Sequence, residues 1–161
     1  MIDLSLLNVK KLLELHAAIG EELRARKIVR SSNNPVADYS ELLFCRAFNW
    51  ERTENSNKDV DALDDDGTRF QVKGRRPTRH NKSRQLGIIR RLDERNFDDL
   101  AGVIFNEDYT VDRAALVPHA LVMTNSNYVK STNGWRFILR DEVWTWEGVT
   151  DVTRKLQAVE V

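Results

Sequence analysis

Three side chains in the first half of the chain have the types and spacing to act on a phosphate: Asp61, Gln71 and Lys73. Gln71 and Lys73 stand two apart in Arg69-Phe70-Gln71-Val72-Lys73. That run has the character of a strand, and residues two apart on a strand share a face. Whether Asp61 joins them depends on hairpin register. If Asp65-Asp66-Gly67 is a three-residue loop with Gly67 left-handed, Asp64 pairs with Thr68. Leu63 then stands opposite Arg69, Ala62 opposite Phe70, and Asp61 opposite Gln71. A two-residue turn sends Asp61 to the other face. The apolar alternation of Val60, Ala62, Phe70 and Val72 agrees with the longer loop. A carboxylate and an amide oxygen are ligands for a hard cation such as Mg²⁺. Such an ion neutralises a phosphodiester and acidifies a bound water, which a neighbouring lysine orients or activates.

A helix beside these strands could add a further carboxylate. From near Asp38 or Ser40 to about Phe48, the residues Leu42, Leu43, Phe44, Cys45, Ala47 and Phe48 surround the helix with apolar surface. A helix of this kind is normally buried. Glu41 lies within it and needs a partner if buried. Two positions are open to it: the shell of the metal, or the solvent-facing first turn, where negative charge is favoured.

At these residues the chain resembles the PD-(D/E)XK superfamily, the restriction-endonuclease-like phosphodiesterases. The matching positions are Glu41 in DYSELLFCRAF, Asp61 in KDVDALDDDG, and Gln71 with Lys73 in RFQVKGRR. The resemblance covers residues 38–105. It implies an α/β fold with a central mixed sheet flanked by helices, on an α-β-β-β-α-β core. It also implies a Mg²⁺-dependent endonuclease for DNA, with Mn²⁺ as a substitute ion. Glu41, Asp61 and Gln71 would hold the metal, and Lys73 would complete the catalytic set. Cutting both strands makes a homodimer attractive. Two positions depart from the pattern. Val60 stands where the motif has proline. Gln71 stands where it has an acid, which lowers the charge offered to the ion unless Glu41 or Asp59 restores it. That departure keeps a second expectation open, a catalytically inactive nucleic-acid-binding module on the same fold.

The charge distribution points the same way. The 161 residues carry 25 basic and 25 acidic side chains, a formal net charge of zero. Residues 1–68 are net −4, residues 69–95 net +8, and residues 96–161 net −4. The basic block begins on the lysine-bearing strand and is rich in arginine, whose guanidinium grips phosphate bidentately. Arg75, Arg76, Arg79, Lys82 and Arg84 are expected to hold the nucleic-acid backbone, and Gln85 to hydrogen-bond a base edge or phosphate. No recognition module is evident, so no long recognition sequence is expected.

The remaining elements must frame this centre. Residues 1–161 read as one domain. Within it, residues 1–30 hold an N-terminal helix, with Leu12, Leu15, Ile19 and Leu23 in a stripe. Arg30-Ser31-Ser32-Asn33-Asn34-Pro35 breaks it, either ordered against the core or as a hinge. Leu100 to Phe105 reads as a strand buried on both faces. Asn133-Gly134 signals a hairpin between residues 128–132 and 135–139. Trp144 and Trp146 are expected to close the core, and Val152, Leu156 and Val159 to form a short final helix. Cys45, alone of its kind, excludes an internal disulfide and reads as core. His16 is expected on a helix surface, His119 as structural, and His80 beside phosphate or free in the basic loop. Asp64, Asp65 and Asp66 read as a solvated turn, since the ligand spacing of a calcium loop is absent. No apolar run reaches the length of a membrane helix, and together with the single cysteine this sets a cytoplasmic expectation.

Overall fold

The computed structural model describes residues 2–53 and 60–161. Asp59, considered above as a source of charge, lies outside the described residues. Asn8 opens helix α1 (Val9–Ala25) by accepting the Lys11 amide at 2.9 Å. None of its side chains is buried. Its apolar stripe is only half-covered at Leu15 and Leu23, and Leu12 and Ile19 stay open to solvent.

The break after α1 is ordered, and Asp38 orders it. Its Oδ2 accepts the Arg30 and Ser31 amides and the Ser31 hydroxyl, each at 3.0 Å. Asp38 lies in the first turn of α2 (Val36–Phe48), so one carboxylate ties the incoming loop to the helix start. The helix ends at Asn49, which takes the left-handed conformation favoured at that position.

Strands β1 (Glu51–Arg52), β2 (Ala62–Leu63) and β3 (Arg69–Arg75) form an antiparallel meander. β4 (Asp99–Phe105) lies parallel to β3, followed by antiparallel β5 (Val111–Pro118). Helix α3 (His119–Thr124) leads to a separate two-stranded sheet of β6 (Asn127–Val129) and β7 (Gly134–Arg136). Strand β8 (Thr150–Asp151) closes the main sheet, in the order β1-β2-β3-β4-β5-β8, and helix α4 (Thr153–Gln157) ends the chain. The protein is thus mixed α/β, a six-stranded mixed sheet flanked by helices. Among the described residues no helix is long and apolar enough to cross a membrane.

Two apolar clusters sandwich this sheet. Phe70, Val72, Ala101, Val103 and Phe105 pack against Leu43 and Phe44 of α2, with Trp50 stacked on Phe70 at 3.7 Å. The contact is tight enough that a Cβ on Gly74 would sit 2.0 Å from Ser40 Oγ. On the opposite face, Leu100 and Ile104 meet Leu86, Ile89 and Leu92 from the connection between β3 and β4. That connection contains only a single 3-10 turn, Leu92–Glu94. The second helix of an α-β-β-β-α-β core is absent there. Pro77, Gly87 and a dense row of like charges disfavour an α-helix, and three spaced apolar side chains pin the segment to the sheet instead.

The hairpin at Asn133 also differs in detail. Lys130–Thr132 form a 3-10 turn, Asn133 takes the left-handed conformation (φ 46°), and Gly134 already belongs to β7. The glycine serves close approach, since a Cβ there would lie 2.3 Å from Ile88 and 3.0 Å from the Ile89 carbonyl. Trp144 and Trp146 do pack on the second cluster, around a 3-10 helix (Asp141–Thr145) rather than along a strand.

Candidate active site

The hairpin takes the longer-loop register. Leu63 pairs with Arg69 and Ala62 with Phe70. Asp64 donates its amide to Thr68 O, and Gly67 is left-handed at φ 79°. Asp64 Oδ1 accepts the Asp66 and Thr68 amides, which makes the acidic stretch a self-capped turn. One residue before β2, Asp61 still donates its amide to Phe70 O at 2.8 Å. There the two strands part.

Asp61 fills the gap this opens. Its Oδ2 accepts the Val72 amide at 2.7 Å and the Gln71 side-chain amide. Among the described residues, neither Asp61 Oδ1 nor Gln71 Oε1 accepts a hydrogen bond. Gln71 is buried. Lys73, two residues on, shares its face and runs past Gly87, where a Cβ would lie 3.8 Å from Lys73 Cδ. Its ammonium has no hydrogen bond or ion pair among the described residues. Asp61 and Gln71 are therefore in contact, and Lys73 stands two residues on from Gln71 along β3.

Glu41 reaches this edge from the α2 layer, and arginine holds it there. Arg52 Nε donates to its Oε2 at 2.8 Å, and Arg30 Nη2 donates to the same oxygen. Arg52 Nη2 also bonds Asp38 Oδ1 at 3.2 Å. Burial, then the nearby Asp61 charge, push the Glu41 carboxyl up from its ordinary pKa, against the pull of Arg52 and Arg30. Asp38 goes the other way. Burial alone would raise it, but the Arg30 and Ser31 donors and Arg52 hold it below the usual range. Burial pushes the Cys45 thiol up to about 11. At neutral pH it is an inert thiol packed against the core.

Arg30, Arg52 and Asp38 carry no motif of their own. The one sequence signal for them is the need of a carboxylate in an apolar helix for a counter-cation. Among the described residues no group of three His, Cys, Asp or Glu side chains is placed to hold a metal. The centre offers acidic Asp61 and Glu41 with the neutral amide of Gln71.

The basic residues divide into engaged and open ones. Arg84 is bound to Asp141 and Asp112 at 2.6 and 3.3 Å. Arg75 donates to Ser83 O at 2.9 Å. Arg76 donates to Glu107 O at 2.7 Å and stacks over Tyr109. Gln85 is half-buried and bridges Ile138 through its backbone. Arg79 and Lys82 are exposed and form no ion pair among the described residues. His80 accepts from Arg79 Nε at 3.2 Å. His119 is buried with Nε2 2.6 Å from Leu92 O, a structural role, and His16 is exposed on α1. No protein-family model matches the chain, and no curated protein matches it in sequence.

Proposed function

We propose that the protein is a metal-dependent nuclease that cleaves phosphodiester bonds in DNA, of the restriction-endonuclease-like type. One observation carries this reading. At the point where β2 leaves β3, the Asp61 carboxylate and the Gln71 amide meet, beside a lysine on the same strand face that is unpaired among the described residues. The order α2, three antiparallel strands, a crossover and a parallel strand supports it.

The donors suit Mg²⁺ or Mn²⁺. They are all oxygens, and among the described residues Asp61 Oδ1 and Gln71 Oε1 are both uncommitted. Glu41 would join them once freed from its arginines. When bound, the ion neutralises the phosphodiester and lowers the pKa of a water. The protein's own groups do the rest. Lys73 places a half-buried cation on the face of Gln71, where it orients water and meets developing negative charge. Arg79 and Lys82 present open cations just beyond the same strand, where they seat the backbone. The test is nicking of supercoiled plasmid and cleavage of short duplexes in Mg²⁺ and in Mn²⁺, by wild type and Lys73→Ala. Equal cleavage by the two proteins overturns the assignment.

The double arginine grip on Glu41, with the neutral amide of Gln71, favours a second reading. On it the domain binds nucleic acid without cutting. Salt-sensitive DNA binding, with no cleavage in Mn²⁺ across varied substrates, selects that reading.

A further inference from the structure

The turn after α1 and strand β1 enclose a cleft of about 470 Å³ lined by Arg24, Lys27, Val29, Arg30 and Arg52. Its cations are held in place by the fold. Lys27 sits in a left-handed turn (φ 59°), with its amide on Arg24 O and the next amide on Leu23 O, both at 2.9 Å. Its ammonium is unpartnered among the described residues. Arg24 reaches Ser31 O and Ser32 Oγ at 3.4 Å and pairs with exposed Glu21. Arg30 and Arg52 crowd onto one oxygen of Glu41, with Asp38 behind them. The acids that pair with these cations are Glu21, Asp38 and Glu41, one fewer than the cations.

We propose that this cleft is a phosphate site for a nucleic-acid strand, in which Arg30 and Arg52 exchange Glu41 for a backbone phosphate and so release Glu41 toward Asp61. The inference rests on the nucleic-acid half of the reading above and not on cleavage. Guanidinium groups grip carboxylate and phosphate with the same fork geometry. A phosphate brings more acceptor oxygens than the single Glu41 oxygen that two arginines now share. Lys27 and Arg24 add positive charge on the approach side, as a polyanion requires. The exchange also links the two ligands. Whatever takes the arginines frees Glu41 for a cation, and whatever takes Glu41 frees the arginines, so each ligand raises affinity for the other.

The test is fluorescence anisotropy of a labelled 20-base-pair duplex in EDTA, across a KCl series. The proteins are wild type, Lys27→Gln, Arg52→Gln, Glu41→Gln and the remote exposed control Glu147→Gln. Lys27→Gln and Arg52→Gln are expected to weaken binding about fivefold, and each to reduce the salt slope by about 1. Glu41→Gln is expected to tighten binding about fivefold and steepen the slope, while Glu147→Gln leaves the slope unchanged. Circular dichroism melts confirm folding, and Lys27, whose ammonium bonds nothing among the described residues, remains a clean probe if Arg52→Gln unfolds. Wild-type slope and affinity in folded Lys27→Gln and unchanged binding in Glu41→Gln overturn the proposal. So does inorganic phosphate that, at matched ionic strength, occupies the cleft in wild type but not in Arg52→Gln without displacing the duplex. Wild-type binding tests the nucleic-acid reading itself, and differences among variants test the cleft.

Discussion

Gln71 donates its side-chain amide to the carboxylate of Asp61, across the point where β2 turns away from β3. The pair is ten residues apart in sequence and joined by a self-capped turn. Lys73, on the same face, is the cation that this pair lacks.

Replacing Lys73 by alanine is expected to lower cleavage by about 10²–10⁴-fold, the scale of a lost proton-transfer or charge-stabilising group. Binding should change little, because the open cations of the crossover remain. Plasmid nicking in Mn²⁺ and duplex anisotropy, run on the same preparations, separate the two effects. Parallel loss of binding and cleavage contradicts the role given to Lys73.

Gln71→Glu places a second carboxylate against Asp61. Without metal, one buried donor is lost and two like charges face each other, so stability is expected to fall by about 1–3 kcal/mol. With Mn²⁺ the order should reverse, since the ion gains a charged ligand. Thermal melts with and without Mn²⁺, alongside titration calorimetry, read both signs. A variant that binds Mn²⁺ no more tightly than wild type removes Gln71 from the metal shell.

Arg79→Gln and Lys82→Gln are each expected to reduce the salt slope of DNA binding by about 1. Arg84→Gln should differ. Its guanidinium is already committed to Asp112 and Asp141, so it should change the melting temperature more than the slope. A slope change from Arg84→Gln equal to that from Lys82→Gln shows that DNA displaces those carboxylates.

Gly74→Ala is expected to destabilise by about 1–3 kcal/mol through overpacking. The new Cβ would meet Ser40 Oγ, which is itself fixed by a 2.6 Å bond to Val36 O. Gly102→Ala meets the tip of Leu139 at 2.9 Å, with Leu86 at an ordinary 3.7 Å, and should cost less. Urea denaturation midpoints rank the two. The reverse order indicates that α2 shifts freely on the sheet.

Asp98 is held at a pKa of about 2, first by the Arg69 side-chain hydrogen bond and with help from the Arg69 amide. A depressed carboxylate stabilises the fold above its ordinary value of 3.8, and that contribution is lost as pH falls toward 2. Arg69 and Asp98 are both partly exposed, so the pair contributes no more than about 1 kcal/mol. Asp98→Asn should therefore be less stable than wild type at pH 6 and nearly equal to it near pH 2, by urea denaturation at each pH.

The hairpin was legible because its evidence is local and has a strict period of two. Val60, Ala62, Phe70 and Val72 admit one register, and Gly67 marks the turn that sets it. Arg30 and Arg52 were not legible. Their grip on Glu41 depends on how a loop and a short strand approach a helix, and no spacing rule encodes that. The stripe on α1 identified a helix, but periodicity does not say what covers a face. The connection at 76–98 lacks a helix because Leu86, Ile89 and Leu92 anchor an extended path, a pattern masked by the charges around them. At Asn133-Gly134 the dipeptide signal held while its roles divided: asparagine supplies the left-handed residue, and glycine makes room for Ile88 and Ile89.

The Asp61 carboxylate on the Val72 amide has a consequence for solubility. Where β2 departs, β3 would otherwise present a bare backbone donor along its margin, and such margins invite strand addition from another chain. A negative side chain seated on that amide both satisfies the donor and repels an incoming acidic or apolar strand. On the proposed reading, the carboxylate offered to a metal is thus also the stopper of an open sheet edge. Its loss would be felt first as aggregation during folding, before any substrate is present.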